Sequence, residues 1–162
     1  MTQESAHAGH RPIDHTGDVA FELWAPSEEA LLGQAARAAT ELMTGDPVVP
    51  SSTEREPREV RDKTPAAGTE LREVRLQTLD REDRLVQWLN EVIYLAVCEG
   101  LLVRHADIAL CDAPAGGQLV ARVHADRLGP GALATELKSA TYHDLCVEHD
   151  DGTWRARVVI DV

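Results

Sequence analysis

Short segments that alternate apolar and polar residues, joined in pairs by turn-forming residues, constrain the fold of this chain most. Residues 141–149 and 153–161 alternate in this way and flank Asp150-Asp151-Gly152. An Asp-Gly pair between two such segments is typical of a tight β-hairpin. A second pair of alternating segments, residues 101–111 and 118–125, flanks another run of turn-forming residues. Adjacent hairpins predict a largely antiparallel sheet.

Strand spacing also occurs earlier in the chain. Residues 18–24 predict a first strand, because Val19, Phe21 and Leu23 occupy alternate positions. Residues 71–79 alternate in part and predict another strand. The segment 46–68 is rich in Pro, Ser, Thr and charged residues, so it is the least predictable region of the chain.

Two segments instead repeat apolar residues at helical spacing. The first is predicted over about residues 27–44, with Ser27 as its N-cap and Gly45 as a left-handed C-cap. The second begins after Asp80 and closes at Gly100. Its apolar positions define one continuous face: Leu85, Leu89, Val92, Ile93 and Ala96.

Two helices and six or seven strands predict an α+β fold. A chain of 162 residues fits one domain with a substantial core. We expect a single layered domain over residues 13–162, in which two helices pack on a mixed, largely antiparallel sheet. Residues 1–12 are small and polar, and their apolar residues do not recur at strand or helix spacing. They predict a flexible N-terminal arm.

Charge and cysteine content limit the classes of function. The 28 acidic and 16 basic residues give a formal charge of -12, which disfavours direct tight binding of RNA or DNA. A cation or a basic protein partner suits this charge better. An odd number of cysteines without metal-ligand spacing predicts reduced thiols. The chain lacks long apolar stretches and signal-peptide features, so we expect a cytoplasmic protein without membrane contact.

Carboxylates at two strand ends suggest a site for a hard cation. Asp14-His15-Thr16-Gly17-Asp18 leads into the first strand, and oxygen-rich loops of this kind suit calcium or magnesium. The alternative is a polar turn in which Asp14 or Thr16 satisfies backbone groups. The last strand ends in Asp161 and the α-carboxylate of Val162, two adjacent anions. The alternative there is a fraying terminus.

Two further segments carry polar or aromatic groups beside predicted secondary structure. Lys138-Ser139-Ala140-Thr141-Tyr142-His143-Asp144 places a cation and an imidazole at a strand start, where His143 has the right chemistry for acid–base work. No nucleophile motif accompanies it, so the alternative is a hydrogen-bonded strand start. In Trp88-Leu89-Asn90-Glu91, the indole is predicted either to pack in the core or to anchor an interface.

Taken together, these segments resemble the archease family. Asp14-His15-Thr16-Gly17-Asp18-Val19 is similar to its N-terminal His-Thr-Ala-Asp motif, with Gly17 in place of the usual Ala. Three further blocks agree in order: Glu41-Leu42-Met43, Trp88-Leu89-Asn90-Glu91-Val92-Ile93-Tyr94, and Lys138-Ser139-Ala140-Thr141-Tyr142-His143 followed by residues 154–162. This chain departs from shorter relatives in its residues 47–69 and in the arm before Ile13.

The resemblance implies a non-catalytic accessory role toward the tRNA and RNA splicing ligase that joins 3'-phosphate ends to 5'-hydroxyl ends. Such factors promote guanylylation of the ligase and restore its turnover. The family's metal ligands map to Asp18, Asp161 and Val162. Their oxygen atoms favour calcium, with magnesium or manganese as alternatives. The resemblance also makes Lys138 and His143, with Asp14 and His15 of the N-terminal motif, candidates for contact with the ligase.

Two other functions remain open from the residues alone. A metal-dependent phosphoester hydrolase would use Asp18, Asp161 and His143, since carboxylates near an imidazole suit that chemistry. A general chaperone-like binding module would need neither the metal nor the ligase.

Overall fold

The computed structural model describes residues 7–14, 16–47 and 68–162 of the chain. They form two helices and seven strands, which confirms the predicted α+β class. In chain order the elements are β1 (Gly9–Asp14), β2 (Val19–Ala25), α1 (Glu28–Thr44), β3 (Thr69–Thr78), α2 (Arg81–Val97), β4 (Leu101–Ala113), β5 (Gly116–Arg127), β6 (Ser139–Asp150) and β7 (Thr153–Asp161). Most of the segment that resists prediction, residues 48–67, lies outside the described residues.

The strands divide between two sheets rather than the one sheet expected. One sheet has the order β1-β2-β7-β6 and the other the order β3-β5-β4. Every strand pair within the described residues is antiparallel, so the mixed character expected for the sheet is not found there. Alternation predicts that a segment is a strand but not which partner it takes, because partners far apart in sequence leave no local signal.

The two helices hold the sheets together. Helix α1 packs against β2 of the four-stranded sheet and β4 of the other, and α2 packs against β6, β3 and β4. Trp88 of α2 is fully buried, and its indole N–H donates to the carbonyl oxygen of Leu32 at 2.8 Å. The core interpretation of this indole is therefore confirmed. No helix among the described residues is long and apolar enough to cross a bilayer.

The ends of both helices follow the predicted capping residues. The Ser27 hydroxyl accepts a hydrogen bond from the backbone N–H of Ala30, and Gly45 closes α1 with φ of +75°. Asp80 accepts from the backbone N–H of Asp83 at 2.8 Å. Helix α2 ends at Val97, slightly before the predicted closure. These bonds satisfy backbone groups that a helix leaves unpaired at its ends.

The predicted N-terminal arm needs correction at residues 9–12. Strand β1 begins at Gly9, and these residues pair with β2. Polar contacts rather than an apolar alternation hold this edge strand, which explains why no period appears in the sequence. The His10 ring lies edge-on to Phe21, and its Nε2 is 2.8 Å from a carboxylate oxygen of Glu41 on α1. Residues 1–6 lie outside the described part of the chain.

The hairpin between β6 and β7 has the turn that the Asp-Gly pair predicts. Asp151 and Gly152 have φ of +49° and +75°, both in the left-handed region. A two-residue turn with both central residues in this region is type I′, whose twist matches that of the flanking strands. The hairpin thereby sets the register of the last strand of the chain.

A buried arginine links three elements of the fold. Arg84 of α2 is only 3% exposed and donates from Nη1 to the carboxylate of Glu28 at the start of α1. Its Nη2 donates to Asp112 of β4. Burial disfavours the charged guanidinium, but the bonds to Asp112 and Glu28 outweigh this and raise the pKa of Arg84. The cation is thus retained inside the protein by its two partners.

Candidate functional site

Two distant carboxylates meet at one end of the four-stranded sheet. Val19, the first residue of β2, pairs with Ile160 of β7. Because the strands are antiparallel, continuing this register by one residue brings Asp18 beside Asp161. Both residues are partly buried. The fold therefore joins the two segments that the sequence predicted as sources of cation ligands.

The start of β6 lies at the same end of this sheet. Ser139 pairs with Asp161, and the backbone N–H of Lys138 donates to the carbonyl oxygen of Asp161 at 2.9 Å. The exposed Lys138 therefore lies beside the last residues of the chain, where Val162 is also exposed. We call this set, Asp18, Lys138, Asp161 and Val162, the sheet-end cluster.

The structure describes the other predicted site residues, Asp14, His15 and His143, only in part or places them elsewhere on the sheet. Asp14 ends β1 and pairs with Val19, so its backbone is at the same end of the sheet. The side chain of Asp14 and the whole of His15 lie outside the described residues. His143 is exposed further along β6, with its Nε2 3.4 Å from a carboxylate oxygen of Asp144. The register does not place His143 in the row that contains Asp161.

His143 and its neighbours lie in a large bulge of β6. Thr141 pairs with Val159, but the next regular pair is Cys146 with Arg157. Residues 142–145 therefore stand opposite Val158 alone, and Asp144 adopts a left-handed φ of +50°. Bulges redirect side chains and are frequent beside functional sites.

Helix α2 holds β6 at two points that the sequence analysis did not identify. The side-chain amide of Asn90 accepts from the backbone N–H of Ala140 at 2.7 Å and donates to its carbonyl oxygen at 3.4 Å. The Tyr142 hydroxyl donates to Asp83 at 2.6 Å. These bonds fix the strand on either side of Thr141. The presence of Asn90 in a block shared with a known family was the available signal.

The Asp83 carboxylate is stabilised in its charged form. Burial would raise the pKa of this carboxyl group, but hydrogen bonds from Tyr142, the backbone of Leu79 and Gln87 outweigh burial and lower it. The same bond to Asp83, with a smaller effect of burial, raises the pKa of Tyr142. The helix start and the bulge are thus joined by a charge-assisted hydrogen bond near neutral pH.

Replacing Asn90 with Ala is expected to loosen the start of β6. Both backbone groups of Ala140 lose their partner, and leaving buried polar groups unpaired costs about 1–3 kcal/mol. Hydrogen exchange should therefore become faster at the Ala140 amide. The free energy of unfolding measured in urea should fall by an amount in this range. Asn90→Asp keeps the acceptor for that amide and serves as the control. Unchanged exchange at Ala140 in Asn90→Ala would contradict this role for the side chain.

The donor chemistry of the sheet-end cluster fits a hard divalent cation. The carboxylates of Asp18 and Asp161 and the α-carboxylate of Val162 supply only oxygen atoms, as calcium and magnesium prefer. Within the described part of the chain, no three His, Cys, Asp or Glu side chains form a metal-binding group. A site here would therefore depend on the terminal carboxylate as its third anionic group.

Sequence comparisons agree with the observed architecture. The family model of the archease protein family matches residues 10–162. The protein archease of Methanopyrus kandleri is 30% identical over 153 residues, which cover 93% of this chain and 96% of that protein. Protein archease of Methanosarcina barkeri is 25% identical over 93% of both chains.

Two solved structures share the fold. The solution structure of Methanobacterium thermoautotrophicum protein 1598 covers 95% of this chain and 99% of its own, with a TM-score of 0.69 and 23% identity. The crystal structure of a Thermotoga maritima protein, described as an archease and possible chaperone, covers 94% and 96% with a TM-score of 0.53 and 24% identity. The family match over residues 10–162 and the similarity to full-length relatives show that this chain belongs to the archease family.

Proposed function

We propose that this protein is a cytoplasmic, non-catalytic accessory factor that binds a divalent cation and activates an RNA splicing ligase. It promotes guanylylation of the ligase and restores its turnover. The family membership supports this role. The observation that carries it here is the register of β2, β7 and β6, which gathers Asp18, Asp161 and Lys138 at one sheet end.

The cation would be held by the sheet-end cluster. Asp18, Asp161 and the terminal carboxylate of Val162 would act as ligands, with calcium as the favoured ion and magnesium or manganese as alternatives. When bound, the cation would supply positive charge for neutralising phosphate or carboxylate oxygens. Strand β7 lies between β2 and β6, so Ile160 is paired on both sides, and Asp161 is held by Ser139 and the backbone N–H of Lys138 on the β6 side. This placement supports a role for Val162 that a fraying terminus would not allow.

The charge of the protein supports a protein partner rather than direct RNA binding. A formal charge of -12 repels a polyanion, so the ligase must hold the RNA itself. Lys138 makes no hydrogen bond or ion pair through its side chain with any described residue. Its ammonium group is therefore available to a carboxylate or phosphate of the guanylylated ligase.

The test combines this protein with the RNA splicing ligase of the same organism and follows guanylylation and ligation over many turnovers. We expect acceleration at less than one accessory molecule per ligase, because a factor that resets its partner binds only transiently. Lys138→Ala should lose this effect and keep the wild-type melting temperature. Arg122→Ala is the control, because Arg122 is an exposed cation on the other sheet.

Three outcomes decide among the functions. Unchanged guanylylation and turnover with the wild-type protein would refute the accessory role. Hydrolysis of simple phosphate esters by the protein alone would favour the hydrolase. Suppression of aggregation of unrelated proteins, without any effect on ligation, would favour a general chaperone-like module.

A further inference from the structure

Two large apolar side chains are exposed together where α2 meets the bulge in β6. Leu79, in the connection before α2, is 81% exposed, and Tyr142 in the bulge is 61% exposed. The other exposed large apolar residues among those described are Leu71, Tyr94 and Val162. Single exposed apolar residues are common, but a pair held at one point needs an explanation.

One carboxylate holds the pair in place. Asp83 accepts from the Tyr142 hydroxyl at 2.6 Å through one oxygen and from the backbone N–H of Leu79 at 2.8 Å through the other. Gln87 adds a bond of 2.7 Å to the second oxygen. The Tyr142 side chain is held in this way and loses less conformational freedom when a partner buries it, whereas the bond to Leu79 fixes its backbone next to Tyr142.

The surroundings of the pair are acidic. Asp80, Glu82 and Asp83 lie in the cap and first turn of α2, and Asp144 lies in the bulge, 3.4 Å from Nε2 of His143. The Asp83 carboxylate contacts the Tyr142 hydroxyl directly, and the Asp80 carboxylate lies close by, because it accepts from the backbone N–H of Asp83. The guanidinium of Arg81 is directed over the ring of Trp154 instead, 4.9 Å from its centroid. A partner for this surface must therefore be basic around an apolar centre.

We propose that Leu79 and Tyr142, with this acidic rim, form the docking surface for the ligase, which must present an apolar pocket bordered by Lys or Arg. This inference rests on the proposed function and adds the place of contact. Tyr142 lies in β6 and Lys138 directly precedes that strand, and four residues of extended chain span about 13 Å. Docking at the bulge would therefore bring the sheet-end cluster to the ligase as well. Tyrosine side chains of this kind commonly dominate interface affinity.

The test measures binding of purified variants to the ligase by calorimetry. Leu79→Ser and Tyr142→Ala are each expected to weaken binding at least about tenfold, since each removes a large apolar side chain that the partner would bury. The chain offers matched controls in Leu71→Ser and Tyr94→Ala, which remove exposed side chains of the same types elsewhere. These should change the affinity less than about twofold. Wild-type affinity should fall as salt increases, because the acidic rim contributes to it.

The outcomes separate the docking surface from the proposed function. If the wild-type protein accelerates guanylylation while Leu79→Ser and Tyr142→Ala bind as tightly as wild type, the docking surface is wrong and the accessory role stands. If the wild-type protein neither binds nor accelerates the ligase, both proposals fail. Melting temperatures equal to wild type in Leu79→Ser and the two controls, and well above the assay temperature in Tyr142→Ala, which also loses its bond to Asp83, establish that a loss of affinity comes from the surface and not from unfolding.

Discussion

Asp18→Ala and Asp161→Ala are each expected to weaken divalent-cation binding by more than about 100-fold. Loss of a direct carboxylate ligand should exceed the 10–100-fold effect that is usual for losing a group that only supports a ligand. The register places both residues at one sheet end. Each single substitution should therefore weaken cation binding nearly as much as replacing both carboxylates. Calorimetry with calcium and with manganese measures the two affinities directly.

The terminal position of Val162 allows a second variant in the same experiment. A residue added after Val162 converts its α-carboxylate into a neutral amide and leaves β7 intact, so affinity should fall. An N-terminal extension should have no such effect. Asp150→Ala is the matched control, since Asp150 is an exposed carboxylate at the other end of the four-stranded sheet. Wild-type affinity in Asp18→Ala or Asp161→Ala would refute the cation site. Equal affinity in both extended proteins would exclude Val162 as a charged ligand.

Local features of this fold were predictable because they depend on neighbouring residues. Ser27, Gly45 and Asp80 end or begin helices through bonds within a few residues of each other, and the structure confirms all three. The turn at Asp151 and Gly152 depends only on two left-handed residues. The bounds of most elements therefore followed from the sequence.

The convergence of Asp18 and Asp161 was not predictable from local pattern. Taken separately, one segment fitted a polar turn and the other a fraying end, and only the resemblance to a family linked them. In the structure β7 lies between two strands, and its residues Val158, Val159 and Ile160 are almost fully buried. Pairing across nearly the whole chain length sets this arrangement, and such contacts leave no periodic signal.

Polar residues on helix faces were the features that sequence reasoning missed. Asn90 and Arg84 both occupy positions where a polar side chain is usually solvated. The structure instead directs Asn90 to the backbone of Ala140 and buries Arg84 between two carboxylates. Residue type and period do not distinguish a solvated position from one that faces another element.

Replacing Arg84 with Ala is expected to lower the free energy of unfolding by about 3 kcal/mol, because breaking a buried ion pair from one side costs about 3–5 kcal/mol. Glu28 would remain as a largely buried carboxylate without its cation, whereas Asp112 is exposed and can be hydrated. The expected loss is therefore at the lower end of that range. Gly117 of β5 leaves room for this guanidinium, since a Cβ there would collide with Nη2 of Arg84.

Urea unfolding of three variants tests the origin of that stability. Arg104→Ala is the matched control, because Arg104 pairs with Asp126 at 2.7 Å on the surface, where an ion pair contributes at most about 1 kcal/mol. Arg84→Lys keeps the positive charge but not the bidentate geometry of the guanidinium. Its decrease in the free energy of unfolding should therefore lie between those of Arg84→Ala and Arg104→Ala. If Arg84→Ala and Arg104→Ala unfold with the same loss, the buried arginine does not hold the two helices and β4 together. A large loss in Arg84→Ala alone would show that the missing interaction is the buried one, since both variants remove one positive charge.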